Sequence, residues 1–133
     1  MKYLVALLMA MVLNAGANLL MKVGMKKVES SGGLFHDGIG AAARSILTSA
    51  PLVIGLSCFA LNAGLYMYAL QSKTLKISIA YPVMVGGGFA LIAAVARIHP
   101  ALAERLTWGQ WMGVALILTG IVLIASQAKT PVA

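Results

Sequence analysis

Only three acidic residues, Glu29, Asp37 and Glu104, stand against ten Lys and Arg in this 133-residue chain. All three acids fall in expected connections or at helix ends, so no carboxylate is available inside an apolar segment for proton-coupled binding. A single cysteine, Cys58, excludes an intrachain disulfide and says nothing of the redox compartment; a small buried hydrophobe is its ordinary role. Two histidines, His36 and His99, lack cysteine or acidic company at metal-ligand spacing, so no metal site and no cofactor is expected. Serine, histidine and acid are too scattered for a nucleophilic triad, and the chain does not look like an enzyme.

Charged residues make up 10% of the chain and hydrophobic ones 61%, against roughly 25% and 45–50% in an ordinary soluble domain. With a mean hydropathy of +0.94, this is the composition of a membrane protein. Four apolar windows each reach the ~20 residues needed to cross a hydrocarbon core. They lie at about 3–22, 47–70, 77–98 and 108–126, and they leave little chain for anything else. The fold class expected is therefore all-α, one transmembrane domain over 1–133 with four spanning helices. The basic excess is juxtamembrane charge meeting anionic lipid, and with no soluble basic module nucleic acid is not a partner.

The first window also resembles a signal peptide, with Lys2 as its basic region and Ala15-Gly16-Ala17 as a cleavage site. Its removal would leave three helices with an awkward topology, so a retained helix is expected. After Lys22 the stretch KVGMKKVESSGGLFHDGIGAAARSIL breaks at Ser30-Ser31-Gly32-Gly33. Leu34, Phe35, Ile39, Ile46 and Leu47 then recur at loose helical spacing, which predicts either a short interfacial helix or a plain loop. Trp108 and Trp111 sit where an interfacial aromatic belt belongs. Lys2, Lys73, Lys76 and Lys129 fall on one side of the membrane, and Lys22, Lys26, Lys27, Arg44, Arg97 and Arg105 on the other. Six against four leans toward both termini outside the cytoplasm, a bias weak enough to suit dual insertion.

Within the spans, residues four apart share a helix face, so Asn14, Asn18 and Lys22 form a polar stripe on the first helix. Cys58, Asn62 and Tyr66 form a second stripe on the next. Buried amides need partners, and two readings stay open: the stripes bond each other as glue between helices, or they line a polar substrate path. Pro82 removes a helical hydrogen bond from the carbonyl of Ser78, and Gly86, Gly87 and Gly88 permit bending or close packing. That makes the third span the expected moving or dimerising part. Gly109-x-x-x-Gly113 alone is a weak association signal.

LMK at Leu20–Lys22, SIAYP at Ser78–Pro82 with the glycines after it, and ERLTWGQWMGVALILTGIVLI at Glu104–Ile124 resemble the drug/metabolite transporter superfamily, nearest in size to its small multidrug resistance type. The likeness covers most of the chain outside Val23–Arg44. Small multidrug exporters carry a titrating glutamate in the first helix, and the matching position here is Asn14. Their tryptophan after the Ala-Tyr pair is replaced by Met84. Tyr81-Pro82, Asn18, Lys22 and PLVIGLSCFALNAGLYMYAL look more like the flippase subunits for aminoarabinose-phosphoundecaprenol. The resemblance implies a multi-pass protein of the bacterial inner membrane that pairs as a homodimer or with a related small subunit. It also implies translocation of a polyprenyl-phosphate-linked sugar or related anionic lipid.

On that reading Asn14, Asn18, Asn62, Tyr66 and Tyr81 line the substrate path and Lys22 meets the phosphate, with Arg97 and Arg105 as further candidate phosphate contacts. Glu104 beside Arg105 suits a capping or ion-pair role at the start of the last helix. The alternatives are an exporter of small metabolites or cations and a non-transporting assembly subunit.

Overall fold

A computed structural model describes residues 1–30, 32–33, 37–98, 102 and 106–127. Five helices occur there and no strand: α1 (Lys2–Glu29), α2 (Ile39–Thr48), α3 (Ala50–Leu70), α4 (Ile77–Ile98) and α5 (Trp108–Gln127). Four of them, α1, α3, α4 and α5, are long and apolar enough to cross a membrane. The chain is a multi-pass all-α membrane protein.

The helices stand in the spatial order α3, α1, α4, α5, with α2 against α3. The α1–α3 seam is built from small residues at heptad spacing. On α1 the buried positions include Ala10, Ala17 and Gly24; on α3 they include Gly55, Asn62 and Ala69. A seven-residue repeat of small side chains lets two backbones approach closely, which is the usual driving contact where lipid supplies no hydrophobic force. A Cβ on Gly55 would stand 3.1 Å from the backbone oxygen of Ala17, and one on Gly24 would stand 2.6 Å from Leu52 Cγ. Near the other end of the seam, Ala6, Leu7, Ala10, Ala69, Ala80 and Met84 form a cluster joining α1, α3 and α4.

α1 runs past Lys22 to Glu29, seven residues beyond the span expected from hydropathy. Gly24 and Val28 remain buried, and Lys26 and Lys27 in the last turn complement the negative end of the helix dipole. Twenty-eight residues at ~1.5 Å each exceed a ~30 Å core, so the last two turns stand in the headgroup region. The short helix between the first two spans is present as α2. Its N-cap, Gly38, has φ of +88°, a conformation glycine adopts without steric cost. A break at Ser49, followed by Pro51, separates α2 from α3 and starts the second span at Ala50.

The glycine triplet is occupied within the chain. Gly86 faces Ile117 and Ile121 of α5, Gly87 faces Met11, and Gly88 lies against Asn14. α4 is thereby held between α1 and α5 through its glycines. Leu34, Phe35, His36, His99, Glu104, Arg105 and Lys129 lie outside the described residues.

Candidate functional site

α1 carries the amides outward from the α1–α4 contact. Asn14 is half-buried, and a Cβ on Gly88 would be 3.1 Å from its Nδ2, close enough that the amide would have to shift by a few tenths of an ångström. One turn on, Asn18 is exposed and its Nδ2 donates to the backbone oxygen of Asn14 at 2.8 Å, with the Asn14 Oδ1 at 3.5 Å. Lys22, a further turn along, is exposed. The stripe thus climbs from a helix interface to the outer surface as it approaches the membrane boundary.

α3 contributes the buried end of the polar set. Asn62 is 4% exposed and its Oδ1 has no hydrogen-bond partner. The Tyr66 hydroxyl is likewise buried without a partner. Such groups in a dry interior are costly, about 1–3 kcal/mol each, and their persistence calls for a ligand or water that bonds them. Amide-to-amide bonding runs along α1, from Asn18 to Asn14, and none of the hydrogen bonds among the described residues ties Asn14 or Asn18 to Asn62.

Tyr66 meets Tyr81 of α4 edge-on, ring centroids 6.4 Å apart, while Tyr81 itself is 55% exposed. The pair bridges α3 and α4 beside the Ala6–Met84 cluster, with Tyr81 immediately before Pro82 and about one turn before the glycines that follow. Beside Asn62 in sequence, Leu61 and Leu65 line an open apolar groove of about 610 Å³ with Val5, Leu8, Met9, Val12 and Leu13 of α1. The groove opens sideways from the α1–α3 seam and presents almost only hydrocarbon.

The membrane boundaries are marked by cations on aromatic rings. At one end Lys2 Nζ lies 5.2 Å from the Tyr3 ring, which packs on Tyr68 at 5.4 Å. At the other, Arg97 lies 5.7 Å from the Trp111 ring, and the two share a pocket of about 460 Å³ with Leu106 and Trp108. Among the sequence-derived candidates the structure brings together Asn14 with Asn18 and Tyr66 with Tyr81, and it sets Arg97 on a tryptophan. Sequence patterning missed Ser49, a buried hydroxyl at the α2–α3 break; the signal was there in Ser49-Ala50-Pro51, a helix-start pattern.

No family model matches the chain, and no solved structure matches it. Among curated proteins it is similar to y4nH of Sinorhizobium fredii, an uncharacterised protein, at 34% identity over 108 residues, 81% of each chain. It is 36% identical over 91 residues to a probable 4-amino-4-deoxy-L-arabinose-phosphoundecaprenol flippase subunit ArnE of Pseudomonas syringae, covering 68% of this chain and 74% of that one. The likeness to the corresponding probable subunit of Salmonella typhimurium is lower, 27%, but extends over 125 residues, 93% of this chain and 97% of that one.

Proposed function

Because the chain belongs to the family of small four-helix membrane proteins that includes the ArnE flippase subunits, we propose that it translocates a polyprenyl-phosphate-linked sugar across the bacterial inner membrane. The observation that carries this reading is the pair of buried, unpartnered polar groups, Asn62 Oδ1 and the Tyr66 hydroxyl, in a protein whose described spans hold no carboxylate at hydrocarbon depth, Glu29 being the last residue of α1. Neutral donors and acceptors suit a sugar headgroup, which passes without exchanging a proton. Asn14, Asn18, Asn62, Tyr66 and Tyr81 would hydrogen-bond the headgroup, and Lys22 would hold its phosphate at the boundary. The lateral apolar groove between α1 and α3 suits a polyprenyl tail that never leaves the hydrocarbon.

The protein would act in a pair, with a second copy or a related small subunit. α5 supports this reading: its main packing is on α4, and only 6% of its apolar window is buried. Translocation rather than bond-making is the activity expected, and no cofactor is called for.

Purified protein in liposomes tests the proposal, with a fluorescent polyprenyl-phosphate sugar as substrate and a membrane-impermeant quencher as readout. Wild-type protein is expected to move the lipid between leaflets, and Asn14→Ala with Asn18→Ala to abolish movement with dimer content and thermal stability unchanged. Proton-driven uptake of quaternary ammonium ions with no lipid movement would overturn it in favour of a cation exporter. Loss of pairing in the double variant would make the amides structural glue.

A further inference from the structure

A second polar site lies apart from the amide stripe, where the last turn of α1 meets the α2–α3 junction. A pocket of about 160 Å³ is lined there by Lys27, Val28, Ser45, Thr48 and Ser49. Ser49 occupies the N-cap position of the 21-residue helix α3, yet its side chain makes no capping bond. Pro51 at the second helical position explains part of this, since it lacks one of the two N–H groups that an N-cap oxygen ordinarily accepts. Ser49 is 7% exposed and its Oγ has no hydrogen-bond partner. Thr48, by contrast, is satisfied internally, its Oγ1 donating to the Arg44 oxygen at 2.8 Å.

Three features therefore converge: an unbonded buried hydroxyl, the positive end of a long helix that begins directly after it, and a lysine on the wall. The surrounding charge agrees in sign, with Lys22, Lys26, Lys27 and Arg44 against Glu29 and Asp37 on the same side of the bundle. α2 places the pocket at headgroup depth, because exposed Ile39 and Leu47 need the acyl boundary.

We propose that this pocket is an interfacial subsite for a phosphate oxyanion. Ser49 Oγ donates to the oxyanion in the favourable field of the α3 N-terminus, and Lys27 supplies the opposing charge. Its volume is close to the ~150 Å³ of a cavity that accommodates a benzene ring, so a phosphate enters while an attached sugar and tail stay outside. Two sources carry this group in a membrane, a resident anionic phospholipid and a polyprenyl phosphate. The subsite uses none of the amide-stripe residues and stands whether or not the protein transports.

The test titrates the full-length protein, in neutral detergent, with phosphatidylglycerol and separately with undecaprenyl phosphate, following the rise in unfolding temperature. Ser49→Ala is expected to weaken binding about ten-fold, the usual loss for one hydrogen bond to a charged group. It should not lower the unfolding temperature of the lipid-free protein, because it removes a hydroxyl that bonds nothing. Lys27→Gln, at an exposed position, is expected to weaken binding several-fold, with its lipid-free unfolding temperature measured alongside as a control for folding, while Lys73→Gln, the same charge change at the opposite membrane face, leaves it unchanged.

Stabilisation by phosphatidylglycerol that undecaprenyl phosphate does not displace identifies a resident lipid; displacement through the same two residues identifies the substrate's phosphate. Wild-type affinity in both Ser49→Ala and Lys27→Gln, an equal loss in Lys73→Gln, or no binding of either probe would overturn the proposal. Intact binding here in an Asn14→Ala protein that no longer flips lipid would separate the subsite from the transport path.

Discussion

Asn62 shows most sharply what a single residue contributes. It occupies a heptad position between Gly55 and Ala69 in a seam otherwise made of small residues, and its Oδ1 is buried without a partner. An amide kept only for stability would be bonded, so Asn62→Leu is expected to hold or raise the unfolding temperature while transport of the lipid falls at least ten-fold. The gain comes from relief of an unmet hydrogen bond, about 1–3 kcal/mol, and thermal unfolding beside the liposome assay checks both halves. Gly55 makes the opposite case. A Cβ there would stand 3.0 Å from Met21 Cγ and 3.1 Å from a backbone oxygen that cannot rotate away. Gly55→Val is therefore expected to destabilise by about 1–3 kcal/mol as α1 and α3 are forced apart. Gly16→Ala, with no heavy atom within 4 Å of the new Cβ, should change the same denaturation curve little.

At the scale of elements, α1 is the organiser, flanked by α3 through small residues and by α4 through the glycines and Asn14. The spacing of apolar residues shows that a segment is helical and lipid-compatible, but apart from a few polar positions each span carries apolar residues on all sides, so hydropathy does not say which face meets which neighbour. That is why Asn14 and Asn62, equivalent as polar interruptions in the sequence, end on different interfaces. α2 differs in kind: Ala42 is its one buried residue, Ile39 and Leu47 are 82% and 75% exposed, and its main packing among the helices is on α3. Its support must come from lipid. Ile39→Glu with Leu47→Glu is expected to speed amide hydrogen exchange in α2 at least ten-fold, with the α1–α3 seam protected as before; equal protection in both would mean α2 is held by protein contacts.

For the whole molecule, helix order sorts the basic residues onto two ends. Among the described ones, Lys22, Lys26, Lys27, Arg44 and Arg97 belong to one end and Lys2, Lys73 and Lys76 to the other. The richer end is expected to face the cytoplasm, leaving both termini outside. A C-terminal alkaline phosphatase fusion should then be active and a fluorescent-protein fusion dark. Gln71→Lys with Thr74→Lys, adding charge to the poorer end, should give a mixed population with both reporters active. No change in the double variant would show that charge balance does not set the orientation.

Composition and the order of apolar windows determined that this chain lives in a membrane, has four spans and carries no carboxylate at their centres, because those properties are sums over local stretches and need no contacts. The resemblance of short motifs reached the family for the same reason, since they are local in the chain. Tertiary structure decided which polar groups are satisfied. Whether Asn18 bonds its own helix, whether Asn62 finds a partner and whether Ser49 caps α3 depend on what lies across an interface, and helices with apolar residues on all sides leave that choice to packing. The opening of α1 and α3 into a lateral groove was settled at the same level, by the heptad of small residues that draws one part of the seam together and leaves leucines beside it facing lipid.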